Sequence, residues 1–350
     1  MSDGSYITEY ANSARSSRVV AKPRSYTQLH VVTRLPDEES PSFVLLDPAG
    51  TRVLVRGRTT LALDPSITIG DGPFRGIGYV TDWGAILGSI DKRWDGLTHD
   101  GYENYQERSP PFAVRIESGY QLAARYSPTR WTSVGQQVPT LRVPAEIAIY
   151  SRASDRSEWM DVIPGRGVAA IADDHVIVAT AAGKVRSYAS GGDAKDLCGT
   201  PRSEISIGEG ADDVSITSAG TVVLSARGSA TAARLVTDQV VWSAEVAFVS
   251  RQPAIDGGEG RVYIAGDGLA AIDRGAVLWS TPSVVPTRAT AFADGTLAVC
   301  RGPGLQIVAR DGSVVQQLTT SDGSSIVTPP AMGPDGSIWI ATATHVCVAR

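Results

Sequence analysis

Cysteine is scarce in this 350-residue chain: Cys198, Cys300 and Cys347 are the whole supply, an odd number with no Cys-x-x-Cys spacing. A disulfide framework and a cysteine zinc knuckle are both excluded by that count. Cys300 and Cys347 sit in alternating apolar runs and read as small buried residues. Long apolar runs are missing too. No stretch approaches the roughly 18 residues of a membrane-spanning helix, so no membrane insertion is expected. The opening decapeptide, MSDGSYITEY, has no basic region followed by an apolar one, so no secretory signal is read in it. The expectation is a cytoplasmic protein, periplasmic or secreted only if a signal had been removed. Lysine is rare, 4 residues against 28 arginines, and the net charge is -5. An acidic chain without a clustered basic stripe is a poor match to a phosphate backbone, which removes duplex nucleic acid from the expected partners.

Catalytic signatures are absent as well. The four histidines, His30, His99, His175 and His345, are isolated, with no HxH or HExxH spacing. No Gly-x-Ser-x-Gly elbow exists to present a nucleophile. Gly70-Asp-Gly-Pro-Phe-Arg-Gly76 misses the dinucleotide-binding spacing by one residue, and Ala182-Gly-Lys184 lacks the upstream glycine of a phosphate loop. The Asp-Gly pairs at Asp71, Asp95, Asp100, Asp294, Asp311, Asp322 and Asp335 form no Asp-x-Asp-x-Asp ladder for calcium and read as hairpin turns. No catalytic residue, metal or cofactor is assigned from the residues.

What is present is a turn-rich, folded composition, 42% hydrophobic with 36 Gly and 20 Pro, arranged as a repeat. Gln252 to Ile264, Arg288 to Val299 and Pro330 to Ile340 each read as a short apolar strand, a Gly-centred turn and an alternating second strand. Glycine beside Asp or Glu suits a tight turn, and alternation gives a strand with one buried face. The pattern recurs at Asp47 to Val55, Ile171 to Val178 and Ile216 to Leu224, and more weakly near 78–90 and 112–126. Second strands are thus expected to begin near Arg52, Ala85, Tyr120, His175, Thr221, Arg261, Thr296 and Ser337. Their spacing, about 41 residues, is the length of a four-stranded propeller blade. The fold expected is all-β: an eight-bladed β-propeller of four-stranded antiparallel blades, with seven blades as the alternative.

The last unit, ending at His345 to Ala349, lacks one strand, and Leu29-His-Val-Val-Thr-Arg-Leu35 is apolar enough to complete it. Pairing these ends closes the ring and covers an edge that would otherwise template aggregation. Residues 1–24, rich in Ser, Ala and Arg, are expected to be a flexible leader, and 25–350 a single domain. Trp159, Trp242 and Trp279 each follow a turn residue by four positions, with Gln316 in the matching place after Gly312. That regularity predicts an outer-strand tryptophan packed on the neighbouring blade.

Arg261 to Trp279 and Gly336 to Thr342 resemble the repeat of the quinoprotein (PQQ-like) β-propeller superfamily, convincingly over 165–350 and loosely over 40–164. That superfamily holds quinone-dependent alcohol dehydrogenases and non-enzymatic eight-bladed scaffolds of the BamB type. The family's docking pattern, Ala-x-Asp-x-x-x-Gly-Lys-x-x-Trp, is met by Ala271, Asp273, Gly275 and Trp279 two residues short and without the Lys. The adjacent-cysteine pair of the dehydrogenases has no counterpart. The resemblance therefore implies the scaffold style and no quinone.

Two stretches break the period. Residues 91–111 and 127–144 are expected to be insert loops on one face, and recognition residues gather on such loops. Trp94, His99, Tyr102, Tyr105, Arg130 and Trp131 are the candidates for partner binding, being of types enriched at interaction hot spots or placed among them. The function expected is a non-enzymatic protein–protein interaction or scaffold module with a protein or peptide partner. Two alternatives stand beside it: an enzyme or small-molecule binder using the axial pocket, with His99, Asp100 or Glu103 as acid or base, and a structural subunit of a multi-component bacterial assembly.

Overall fold

A computed structural model of the chain describes residues 17–36, 41, 43–46, 53–56, 60–62, 78–81, 84–88, 94–98, 101–105, 111–117, 120–127, 146–153, 156–164, 167–172, 175–180, 183–189, 203–207, 213–226, 228–234 and 239–350. Every regular element among them is a strand. After β1 (Leu29–Arg34), eight antiparallel sheets follow in chain order, seven of them four-stranded. The first holds β2 (Phe43–Leu46), β3 (Val53–Arg56) and β4 (Thr60–Ala62); the second β5 (Gly78–Thr81), β6 (Gly84–Gly88), β7 (Trp94–Thr98) and β8 (Gly101–Tyr105). The third holds β9 (Pro111–Glu117), β10 (Tyr120–Ser127), β11 (Glu146–Ala153) and β12 (Arg156–Pro164); the fourth β13 (Gly167–Ala172), β14 (His175–Thr180), β15 (Lys184–Ala189) and β16 (Ser203–Ser206). The fifth holds β17 (Asp213–Ile216), β18 (Val222–Ala226), β19 (Ser229–Arg234) and β20 (Gln239–Glu245); the sixth β21 (Ile255–Gly258), β22 (Arg261–Gly266), β23 (Gly268–Asp273) and β24 (Ala276–Pro282). The seventh holds β25 (Thr287–Ala291), β26 (Leu297–Arg301), β27 (Gly304–Val308) and β28 (Val314–Thr319); the eighth β29 (Ala331–Met332), β30 (Ile338–Ala341), β31 (His345–Ala349) and β1. The second strand of every sheet starts within one residue of its expected position.

Turn chemistry sets these strands. Asp294, Asp311, Asp322 and Asp335 each accept the amide of the residue two positions on, and Ser313, Ser324 and Ser337 add their hydroxyls. The following glycines take positive φ, as at Gly295 (81°) and Gly336 (78°). These are side-chain-closed turns, so the Asp-Gly pairs there serve the backbone. Hydrogen bonds from Ser313 and Ser324 hold Asp311 and Asp322 below the ordinary carboxylate range.

Cores lie between successive sheets, because each inner strand alternates its side chains between two neighbours. Val214, Ile216, Val222 and Leu224 pack against Ile177, Ala179 and Val185 of the preceding sheet. Tyr263, fully buried, reaches across to the next sheet and donates its hydroxyl to Gly295 O at 2.7 Å. Cys300 and Cys347 are buried free thiols, as their apolar runs predict, and burial pushes the Cys347 thiol up to about 11.

β1 pairs antiparallel with β31, from Leu29 opposite Ala349 to Arg34 opposite His345, with an irregularity at Val32. The eighth sheet thus takes its outer strand from the N-terminal part of the chain. The stretch 91–111 departs from expectation: β7 and β8 form a hairpin within it, Trp94 opposite Tyr105 and Thr98 opposite Gly101. Its weak alternation hid the strands, while Asp100-Gly101 supplied the turn signal. Residues 128–145, which include most of the second expected loop, lie outside the described residues.

Candidate functional site

Each sheet has two ends. The lower end carries the turns from first to second and third to fourth strand; the upper end carries the turns from second to third and the links between sheets. Residues 17–28 lie across the lower ends of the last four sheets. Ala291 N donates to Ser17 O at 2.8 Å, Val19 N to Ala291 O at 3.0 Å, and Ala293 N to Ala21 O at 3.0 Å. The bridge of Arg18 with Ala291 is parallel, so the segment adds a short strand to the free edge of β25. Val19 and Ala21 are buried while Val20 between them is exposed, the period-two pattern of a half-buried strand.

Arg18 fastens this strap to three sheets. Its Nη1 donates to Ser218 Oγ at 2.8 Å and to Asp256 Oδ2 at 3.1 Å, and its Nη2 to Ala293 O at 2.7 Å. Asp256, whose side chain is 3% exposed, also accepts the amides of Ser218 and Gly258, each at 2.9 Å. Gly258 has φ +74°, and a Cβ on it would stand 2.9 Å from Nη2 of Arg18, so the guanidinium fits because this residue is glycine. Asp256 thus serves three donors at once, and removing it leaves two amides without an acceptor, at about 1–3 kcal/mol for each one that is buried.

Farther along, Tyr26 OH donates to Gly336 O at 2.8 Å. Burial pushes the Tyr26 hydroxyl up to about 12, which keeps it a donor. Gln316 brackets the Tyr26 peptide, its Oε1 accepting Tyr26 N and its Nε2 donating to Tyr26 O. This explains the place of Gln316 in the tryptophan series. Trp242 packs on Gly275 of the next sheet, and Trp279 packs on Gly312 while donating Nε1 to Arg310 O at 3.0 Å. Both tryptophans pack on the neighbouring sheet, as the sequence predicts, and the structure puts the contact at its third-to-fourth-strand turn. The eighth sheet has no such turn, because its fourth strand is β1, and the incoming strap stands in its place. An amide that can bond a passing backbone suits that neighbour better than an indole. Residues 17–24 are thus held by backbone and side-chain bonds, which corrects the expectation of a flexible leader for that part of 1–24.

The partner-binding candidates separate. Trp94 opens β7 and Tyr105 closes β8, so the register sets them opposite each other at the upper end. Tyr102, opposite Leu97, lies toward the other end of the same hairpin. His99, Arg130 and Trp131 lie outside the described residues. Arg18, Asp256, Tyr26 and Gln316 were not singled out for binding; the visible signals were an Arg between small and β-branched residues and the glycine-rich turn after Asp256. Among the described residues no cluster of three metal-ligating side chains occurs.

No protein-family model and no curated protein matches the chain. Solved structures do. BamB from Moraxella catarrhalis is 12% identical, with 92% of this chain and 97% of that one covered at a TM-score of 0.61. The C-terminal WD40 domain of Sif2 is 11% identical, covering 93% and 99% at 0.61, and the WD40 beta propeller domain of Doa1 is 12% identical, covering 93% and 97% at 0.52. The fold is a β-propeller. At such identities the likeness carries architecture alone, and one propeller framework serves unrelated activities. For this propeller the site must be argued from its own residues.

Proposed function

We propose that this propeller is a non-enzymatic protein–protein interaction or scaffold module that presents its upper end to a protein or peptide partner. The observation that carries this reading is the hairpin register of the second sheet: Trp94 opens β7 and Tyr105 closes β8, so the two aromatic positions stand opposite each other at the upper end. Aromatic and Arg anchors are the usual hot spots of interaction surfaces, and Arg130 and Trp131, in the sequence between β10 and β11, are taken with them. Tyr102, opposite Leu97 toward the other end of the hairpin, drops to a secondary role, and His99 with it. The eight sheets are taken as blades of one ring over 25–350, fastened by β1 and working in the cytoplasm.

The test is affinity capture from source lysate beside a Trp94→Ala/Trp131→Ala chain, with melting temperature measured on both. A 1:1 partner that is lost in the double variant at unchanged melting temperature supports the reading. Loss of capture and of stability together, or a partner retained by the double variant, sinks it.

A further inference from the structure

We infer that the groove along the free edge of β25 is an arginine-anchored binding site for an extended segment of a partner protein, of the pattern small–Arg–β-branched–any–Ala, and that Ser17–Ala21 is its resident occupant in cis. This site lies at the lower end and shares no residue with the upper-end surface, so it goes beyond the preceding reading. Recognition follows the logic of strand addition: three backbone hydrogen bonds with Ala291 and Ala293 give affinity without regard to sequence, and alternate side chains supply the selection. Ser17 is fully buried, so its position admits only a small side chain; Val19 and Ala21 are buried and Val20 points outward.

The arginine position is the most selective. Its guanidinium is met by a carboxylate from the sixth sheet, a hydroxyl from the fifth and a carbonyl from the seventh, contacts a planar fork of donors satisfies together and a lysine ammonium does not. Asp256 is committed to this socket by two backbone amides, so the acceptor remains oriented when Arg18 leaves. Charge complementarity extends beyond the socket. Asp335 stands in the turn before β30, and Arg24 of the strap comes within 3.6 Å of its carboxylate. A cis segment competes at an effective concentration of about millimolar, so the groove reads a partner once the strap is weakened.

The experiment uses a fluorescein-labelled peptide of residues 14–26 and the full chain carrying Arg18→Ala, with anisotropy as readout and circular dichroism as the check of folding. The peptide is expected to bind this host at least about tenfold more tightly than the unaltered chain. An Arg18→Lys peptide, or an added Asp256→Asn in the host, is expected to lose about tenfold, the change for one charge-assisted hydrogen bond. If Arg18→Ala fails to fold, Arg18→Lys serves as host with the same comparisons. Equal binding of the Arg and Lys peptides, or no binding to a folded host, overturns the proposal. A host that is dimeric by light scattering without peptide also overturns it, since the occupant is then a second copy of the chain.

Discussion

Replacing Gly275 by alanine separates two costs that a glycine in a docked turn carries together. Arg274 and Gly275 form a two-residue hairpin, with φ of 49° and 90° and Asp273 paired to Ala276. An L-residue in this left-handed region costs about 1–2 kcal/mol. The new Cβ would also stand 2.8 Å from Cβ of Trp242 on the neighbouring sheet, and overpacking of that kind costs about 1–3 kcal/mol more. Gly323 is the control, with φ +70° and no atom within 4 Å of the added carbon, so only the first cost applies. For a chain this long each kcal/mol is worth about 2 °C in Tm. Gly275→Ala should therefore lower Tm by about 4–10 °C and Gly323→Ala by about 2–4 °C, measured by scanning calorimetry. Equal shifts would show that the tryptophan does not press on the turn, and the account of inter-sheet docking would be wrong.

Asp256→Ala takes the acceptor from two amides and the carboxylate from Arg18, which keeps its bonds to Ser218 and Ala293, and should cost about 2–4 kcal/mol in urea unfolding, whereas Ser218→Ala should cost only about 1 kcal/mol. Alkaline pH should weaken the fold through Tyr26. Its folded value of about 12 exceeds the unfolded value of about 10, so stability is full below pH 10 and falls as pH rises toward 12, by up to about 3 kcal/mol; Tyr26→Phe should remove that slope. In a Cys198→Ser background, Cys300 and Cys347 should resist a thiol reagent until the chain is unfolded, because both are buried and burial raises both thiols.

Local signals carried much of the fold. Alternation and turns bearing Gly or Asp placed all eight second strands, since a two-residue period and a turn-forming residue are properties of a few adjacent positions. The hairpin of β7 and β8 escaped because Gly96, Asp95 and Asn104 interrupt its alternation, leaving only the Asp100-Gly101 turn to mark it. Residues 17–24 escaped for another reason. Their partners, from Ser218 to Asp335, stand some two hundred residues or more away in sequence, and a short segment that borrows an existing edge needs no periodic signal of its own.

By itself the sequence determined the repeat, the turn chemistry, the buried thiols and the outer-strand tryptophans, each through interactions within one hairpin or between a residue and whatever packs next to it. Tertiary structure decided the rest: that the strap lies across four sheets, that Arg18 meets a carboxylate, a hydroxyl and a carbonyl from three of them, and that Gln316 stands where a tryptophan would have no turn to cover. Those contacts join groups far apart along the chain, and their geometry exists only once the sheets are assembled.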